Sequence, residues 1–289
     1  MGEQNKVWAD GVSYFEREGI SATLLKAIIK QSPVHAQHRM EHFKATPAMN
    51  LGTAFHAAVL ECENYGELIA VEPEINKRTK AGKEEYAEFL KTVGNKTVIT
   101  KEQDETAQQM QEVCLAHPMV KRLLNDCDCY EFESGFDFPL FDTKAEEVGS
   151  LPCKAKIDAV SGKEKIIVDF KTTADASPEA FSKQSANLLY HLQMAWYTYA
   201  MGWGIDEVSA YIVAVENKAP FGTVVYKLPE ETLREGWHLC QRAVFQWTSF
   251  ETEVALQECC DDSIPVQPYY EYATHAELLE LPKWAKNLT

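Results

Sequence analysis

Two aspartates and a lysine interrupt stretches of the sequence that are otherwise apolar. Asp158 follows Ile157, and Asp169 and Lys171 lie in the run Ile166–Lys171 further along the chain. Because side chains alternate between the two faces of a strand, Asp169 and Lys171 point to the same side. Buried charges are costly unless they pair with one another or bind a cation. The pattern predicts a hard divalent cation with oxygen ligands, and the competing interpretation is a structural ion pair.

A lysine beside such a cation predicts phosphoryl-transfer chemistry. The cation would lower the pKa of a water and polarise a phosphoryl oxygen. Lys171 could orient or help to deprotonate that water, and could stabilise the charge on a pentavalent phosphorus. His56, one helical turn after Gly52, can offer an imidazole nitrogen to a metal. Gln193 and Tyr197 share a helix face and can hydrogen-bond a phosphate, the lysine or a stacked base, although each of these residues is also typical of a packed core.

The elements that position these residues begin with predicted helices. Ser21 and Thr100 are suitable N-caps, and Ser32-Pro33 predicts the end of one helix and the start of the next. Further helices are predicted over residues 51–60 with Asn50 as the cap, 83–93 and 101–125.

Strands are predicted in the second half of the chain. They cover Tyr130–Phe138, Lys154–Val160, Lys165–Lys171, Val208–Val215 and Thr223–Leu228, with helices over Ser185–Met201 and Glu230–Thr252. Ser161-Gly162 predicts a hairpin turn, and the aromatic run that contains Tyr190 is typical of a core. The pattern as a whole predicts an α/β or α+β fold, in which helices flank a mixed β-sheet and the N-terminal portion is helical.

Composition excludes several classes of protein. The 289 residues are 45% hydrophobic and 25% charged, which is an ordinary globular mixture. No apolar run reaches the roughly 18 residues of a membrane span, and the first residues lack a signal core, so we expect a soluble, cytoplasmic protein. The eight cysteines include no C-x-x-C pair, which favours reduced thiols over a zinc site.

The net charge restricts how the chain can contact nucleic acid. Lys plus Arg is 28 and Asp plus Glu is 44, so the formal charge is −16. A phosphate-contacting surface must therefore be local. The segment Asn76–Lys83 is its best candidate, because it carries Lys77, Arg78, Lys80 and Lys83. The alternative for this segment is a solvated loop.

The order of these motifs resembles the PD-(D/E)XK nuclease superfamily in its RecB-like branch. The chain has Gly52-x-x-x-His56, a glutamate, Asp158, Asp169-x-Lys171 and Gln193-x-x-x-Tyr197, in that order. The likeness is closer still to the RecE (exonuclease VIII) family of prophage recombination exonucleases, and it runs from about Ile20 to the C-terminus. The stretches that carry it are Leu51–His56, Asn76–Glu85, Lys96–Thr100, Val168–Asp175 and Leu281–Lys286.

The resemblance implies roles for single residues. His56, Asp158 and Asp169 would bind Mg²⁺ together with the backbone carbonyl of Phe170, and Mn²⁺ could substitute. Lys171 would be the catalytic lysine, and Gln193 and Tyr197 match the Gln and Tyr of the family. The family often has Glu where this chain has Asp169, which keeps the carboxylate but shortens its reach.

Two implied roles concern other parts of the chain. Glu133 best matches the family's acidic strand residue, and Glu131 is a competing register. The Asn76–Lys83 segment matches a family segment, which strengthens the expectation that it contacts DNA.

The resemblance also implies an activity. It implies a single RecE-like exonuclease domain over residues 1–289, with a mainly helical portion at about 10–125, the nuclease sheet at about 126–250 and a tail over 251–289. The expected activity is metal-dependent 5′→3′ digestion of one strand of linear duplex DNA, by a ring-shaped tetramer that works with a RecT-like annealing protein. The alternatives are a RecB-like single-strand exonuclease or an endonuclease, a non-catalytic DNA-end-binding protein, and an ordinary α/β domain with buried ion pairs.

Overall fold

The computed structural model describes residues 6–7, 12–141, 144 and 146–259. The chain divides into two compact units, one comprising the residues up to Ala22 with Lys44–Cys240, and the other comprising Thr23–Phe43 with the chain from Gln241 onward. Within the described ranges, no helix combines the length and the apolar character needed to cross a membrane. The single domain over residues 1–289 stays a prediction, since most of its expected tail lies outside the described residues.

Among the residues that the structure describes, eight strands form two sheets. The strands are β1 (Lys6–Val7), β2 (Ile69–Val71), β3 (Thr97–Ile99), β4 (Cys129–Phe141), β5 (Glu147–Ser161), β6 (Ile166–Thr173), β7 (Ser209–Glu216) and β8 (Thr223–Lys227). The larger sheet has the order β1-β4-β5-β6-β7-β8, while β2 and β3 form a parallel pair. All neighbours in the larger sheet are antiparallel except β6 and β7. The sheet is therefore mixed, as the sequence predicts.

Most of the helices begin close to the predicted positions. They are α1 (Ala22–Lys30), α2 (Pro33–Glu41), α3 (Pro47–Leu60), α4 (Tyr65–Leu68), α5 (Lys80–Thr92), α6 (Lys101–Ala116), α7 (Pro118–Asp126), α8 (Pro178–Asn187), α9 (Tyr190–Ala200) and α10 (Glu230–Cys259). Ser32 caps α2, and Thr100 caps α6 through a capping box with Gln103. These caps confirm the helix starts predicted at both residues.

The local predictions fail at three helix ends. The predicted helix over 101–125 is interrupted at Pro118, because proline cannot supply the N–H that would continue α6. The predicted helix over 185–201 is broken by Leu189, whose φ of 53° is left-handed. Asn50 does not begin a helix, because Thr46 caps α3 and Asn50 instead donates to the Val98 carbonyl at 3.1 Å.

The core fixes the helix that carries His56. Phe55 of α3 is fully buried, and it packs in one cluster with Met110 of α6 and with Val168 and Phe170 of β6. Burying a side chain such as Phe55 contributes about 1.5–3 kcal/mol. Because His56 follows Phe55 directly, this packing sets where the imidazole meets the sheet.

Candidate active site

The two central strands of the sheet part where the acidic residues lie. β5 and β6 pair from Ser161↔Ile166 to Ala159↔Val168, which confirms the predicted hairpin. One residue further along, the Asp158 carboxylate accepts the backbone N–H of Phe170 at 2.7 Å. A side chain thus takes the place of a ladder hydrogen bond, and the divergence leaves a buried carboxylate between the strands.

Glu131 approaches Asp158 from the neighbouring strand β4. The pairs on either side of it in the β4–β5 register place Glu131 opposite Asp158. Glu131 has a φ of 49°, which is uncommon for a residue other than glycine and marks a local distortion of the strand. Its side chain is mostly buried, with 15% of its surface exposed.

His56, Glu131 and Asp158 form a group that fits a divalent cation. Each offers one ligand atom, and these atoms lie within 4.8 Å of one another. His56 Nδ1 is 3.4 Å from Asp158 Oδ2. Two carboxylates and one imidazole suit a divalent cation such as Mn²⁺ or Mg²⁺, and their spacing allows all three to share one ion.

Asp169 lies beside this group in a network of its own. Lys171 Nζ is 2.5 Å from Asp169 Oδ2. Gln193 Nε2 donates to Asp169 Oδ1 at 2.9 Å and to the Tyr197 hydroxyl at 2.7 Å. Asp169 is 1% exposed. The expected Gln and Tyr therefore orient the carboxylate of the D-x-K motif.

In both groups, the neighbouring opposite charges keep the buried side chains in their charged forms. Burial opposes the charged imidazolium of His56, but the facing Asp158 carboxylate outweighs it and raises the pKa of His56. Burial likewise opposes the Asp158 anion, yet His56 and then Lys171 lower the pKa of Asp158. The ammonium of Lys171 is also disfavoured by burial, but Asp169 and Asp158 raise its pKa. All of these shifts favour the charged forms.

Two further groups are shifted toward their neutral forms. Burial, together with the charge of Asp158, raises the pKa of Glu131, and Lys156 opposes that shift. Burial and the carboxylates of Asp169 and Asp158 raise the pKa of Tyr197 well above its ordinary value. Tyr197 is therefore a neutral hydrogen-bonding group. A cation bound beside Glu131 would stabilise its charged carboxylate and offset the rise in its pKa.

The geometry favours the Glu131 register over Glu133. Glu133 lies opposite Lys156 on β5, and Lys156 Nζ contacts Glu131 Oε2 at 2.7 Å and Glu133 Oε1 at 3.0 Å. Glu133 is thus an ion-pair partner outside the His56 group. Because side chains alternate along a strand, both glutamates lie on one face of β4. Only the register of β4 against β5 could therefore show which of them belongs to the site.

The basic segment Asn76–Lys83 forms a turn and the start of α5. Thr79 caps the helix by accepting the Gly82 N–H at 3.0 Å. A Cβ on Gly82 would lie 2.1 Å from the Asn76 carbonyl oxygen, so the turn requires glycine there. Lys77 contacts Glu72 at 2.5 Å and lies 3.9 Å from the Tyr86 ring centroid.

The other cations of the segment extend toward water. Lys80 is 92% exposed in its side chain and is 3.9 Å from Glu84, and Arg78 and Lys83 are exposed as well. The structure thus places Lys77 and Arg78 in the turn, and Lys80 and Lys83 at the start of α5. Their contact with DNA stays a prediction.

Comparison with known proteins agrees with this architecture. A family model described as a PDDEXK-like domain of unknown function (DUF3799) matches residues 21–261. The chain belongs to this family. The superfamily part of the resemblance is therefore confirmed, and the closer likeness to RecE stays a prediction. PD-(D/E)XK nucleases use divalent metal ions, which agrees with the ligand group around His56.

Solved structures add evidence on the fold. A proposed exonuclease from Eubacterium rectale is similar with a TM-score of 0.55 at 11% identity, over 84% of this chain and 87% of the other. A phage-related exonuclease from Haemophilus somnus 129PT matches with a TM-score of 0.33 at 14% identity, over 82% and 96% of the two chains. Among curated proteins, no relative matches this sequence. At these identities, the first similarity establishes the fold alone.

Proposed function

We propose that this chain is a metal-dependent 5′→3′ exodeoxyribonuclease. It would degrade one strand of linear duplex DNA to 5′-mononucleotides and leave 3′ single-stranded tails for recombination by strand annealing. One observation carries the nuclease part of the proposal: the ligand group of His56, Glu131 and Asp158 adjoins the Lys171–Asp169 pair at the opening between two strands. The polarity, the products and the role in recombination are what the RecE resemblance implies. A purely structural ion pair would not need the imidazole and the third carboxylate beside it.

Most of the acidic residues of the site, together with His56, would bind the cation. His56, Glu131 and Asp158 would hold the cation, with Asp169 and the Phe170 carbonyl as the further ligands implied by the resemblance. A cation held there would stabilise charge on a phosphoryl oxygen and supply the acidity that makes water a nucleophile near neutral pH. Phe170 holds Asp158 in place through its N–H.

Lys171 acts as a fixed positive charge. Its raised pKa keeps it an ammonium, which suits stabilisation of negative charge on phosphorus and orientation of a water, rather than removal of a proton. Gln193 and Tyr197 keep Asp169 in the orientation that Lys171 contacts. This network would hold the ammonium in place before the substrate arrives, which is how preorganised charge lowers a barrier.

Digestion of end-labelled DNA tests the proposal. Linear duplex labelled at either the 5′ or the 3′ end is incubated with Mg²⁺, with Mn²⁺ and with a chelator, alongside closed circles, nicked circles and single strands. We expect 5′-mononucleotides from the 5′ end of linear duplex, intact closed circles, and no digestion in chelator. A parallel reaction with Lys171→Ala excludes contaminating nucleases.

Three results would select the alternatives. Rapid cutting of closed circles would identify an endonuclease, and a preference for single strands would identify a RecB-like exonuclease. Binding of ends without release of nucleotides in either metal would identify a non-catalytic DNA-end-binding protein.

The assembly belongs to the same proposal. We expect a cytoplasmic, ring-shaped tetramer that hands its 3′ strand to a RecT-like annealing protein, because the RecE resemblance implies both partners. Sedimentation of the purified chain tests the oligomer. A monomer that digests duplex with full processivity would contradict the ring.

A further inference from the structure

An aromatic ring covers the lysine of the D-x-K motif. Tyr190 is the first residue of α9, and its side chain is buried, with the residue 6% exposed. Lys171 Nζ lies 5.3 Å from the centroid of the Tyr190 ring. A cation within about 6 Å of a ring centroid is attracted by the negative face of the ring. Tyr190 therefore contacts the catalytic machinery, although its aromatic neighbours on α9 are typical of a core.

The position of Tyr190 is fixed from several directions. The left-handed conformation of Leu189 separates α8 from α9, so that Tyr190 begins a new helix. This helix packs against β6. Gln184 Nε2 donates to the Tyr190 hydroxyl at 3.2 Å. The Thr173 hydroxyl in turn donates to Gln184 Oε1 at 2.8 Å. The Phe181 ring packs at 5.9 Å between centroids.

This arrangement connects one face of β6 to the ring. Lys171 and Thr173 are two residues apart on β6 and therefore point to the same side of the strand. Thr173 holds Gln184, Gln184 holds the Tyr190 hydroxyl, and the ring of Tyr190 faces Lys171. The strand that carries the lysine thus also anchors the ring that limits where its ammonium can go.

We propose that Tyr190 is a positioning residue, which keeps the Lys171 ammonium beside Asp169 through the face of its ring. The inference rests on the proposed function, because it assigns Tyr190 a part in the same reaction. The ring restricts the flexible lysine side chain to one arrangement and attracts its charge. The hydroxyl is secondary, since it only orients the ring through Gln184.

The experiment compares variants that separate the ring from the hydroxyl. Tyr190→Leu removes the ring, and Tyr190→Phe keeps it. Tyr211→Leu is the matched control, because Lys227 lies 5.7 Å from the Tyr211 ring on the neighbouring strands β7 and β8. Steady-state digestion of labelled linear duplex in Mg²⁺ yields kcat and KM separately.

We expect Tyr190→Leu to lower kcat by about two- to thirtyfold with an unchanged KM, which corresponds to the usual strength of a cation–π contact. Tyr190→Phe and Tyr211→Leu should keep most of the turnover. Should Tyr190→Leu fail to fold, Tyr190→Met carries the same expectation. Wild-type kcat in the folded variant without the ring would overturn the inference, as would equal losses in Tyr190→Leu and Tyr190→Phe.

A second measurement needs no activity. In metal-free protein with ¹³Cε-labelled lysine, the Lys171 Hε signal, assigned through Lys171→Arg, should be shifted upfield by the ring. The shift should persist in Tyr190→Phe and vanish in Tyr190→Leu, and an unshifted wild-type signal would contradict the contact. If Lys171→Ala keeps full turnover, the proposed function itself fails. If Lys171→Ala is inactive and Tyr190→Leu is normal, only the present inference fails.

Discussion

Two charged regions of this protein are built in opposite ways. In the sheet, Asp158 and Asp169 are 7% and 1% exposed, and each contacts an oppositely charged or hydrogen-bonding side chain. In the basic segment Asn76–Lys83, the Lys80 side chain is 92% exposed and its ammonium lies 3.9 Å from the Glu84 carboxylate.

This difference predicts which substitutions should have large effects on activity or binding and which should have small ones. A buried charge interacts strongly, because the medium around it screens weakly. Exposed charges are screened by water and salt, so they act additively and weakly. Catalysis needs the first kind of charge, whereas holding a polyanion of any sequence needs the second kind.

Removal of the buried ammonium should have the largest effect. Lys171→Ala should lower turnover by about 10²- to 10⁴-fold, because it removes a preorganised charge from the reaction centre. DNA binding should persist, and Lys171→Arg should recover part of the rate by restoring a positive charge. Single-turnover digestion and a filter-binding assay measure the two properties. Unchanged turnover in Lys171→Ala would remove the buried region from the mechanism.

The choice between two glutamates sharpens the buried side of the comparison. Glu131→Gln should weaken Mn²⁺ binding by at least about tenfold, as loss of a metal-site group commonly does. Glu133→Gln should change it much less, because Glu133 contacts Lys156 and not the His56 group. Titration calorimetry with Mn²⁺ measures both affinities. A larger loss of Mn²⁺ affinity in Glu133→Gln would instead support Glu133 as the site glutamate, as the sequence predicts.

The His56–Asp158 pair predicts protons released on metal binding. The pKa of His56 is raised in the metal-free protein, so the imidazolium stabilises the fold below its ordinary pKa of about 6.5, and this stabilisation is lost as pH rises through the raised value. An imidazole must lose its extra proton before its nitrogen can bind a metal ion. Near pH 6.5, Mn²⁺ binding should therefore release up to about one proton from His56, and fewer at alkaline pH.

Calorimetry in two buffers of different ionisation enthalpy measures this proton. His56→Gln should bind Mn²⁺ more weakly and release correspondingly less. A release that does not depend on pH, or one that is unchanged in His56→Gln, would contradict the assignment.

Changes in the basic segment should have the smallest effects. Replacing Lys77, Arg78, Lys80 or Lys83 singly by Gln should weaken DNA binding slightly and uniformly across sequences, and should reduce the salt slope of binding by about one. Lys91→Gln is the control, since Lys91 lies at the far end of α5 and pairs with Glu88. Salt titrations of duplex binding measure the slope. Equal salt slopes in the control and in all four variants would contradict the prediction that the segment contacts DNA.

Much of the architecture follows from local sequence. Thr100 and Ser32 form the predicted caps, and the turn after Ser161 forms the predicted hairpin. Caps and turns depend on residues a few positions apart, so the sequence contains their whole cause. The short strands β1, β2 and β3 were not predicted, because their pairing partners lie far away in the chain.

The sequence by itself determined which chemical groups this protein possesses: an imidazole on a helix, carboxylates in apolar strands, and a lysine two residues after an aspartate. Only the tertiary structure decided which of them meet. The positive φ at Glu131, the parting of β5 from β6 at Asp158 and the break at Leu189 place Glu131 beside His56 and Tyr190 over Lys171. Each depends on contacts between distant segments, which a local pattern cannot specify.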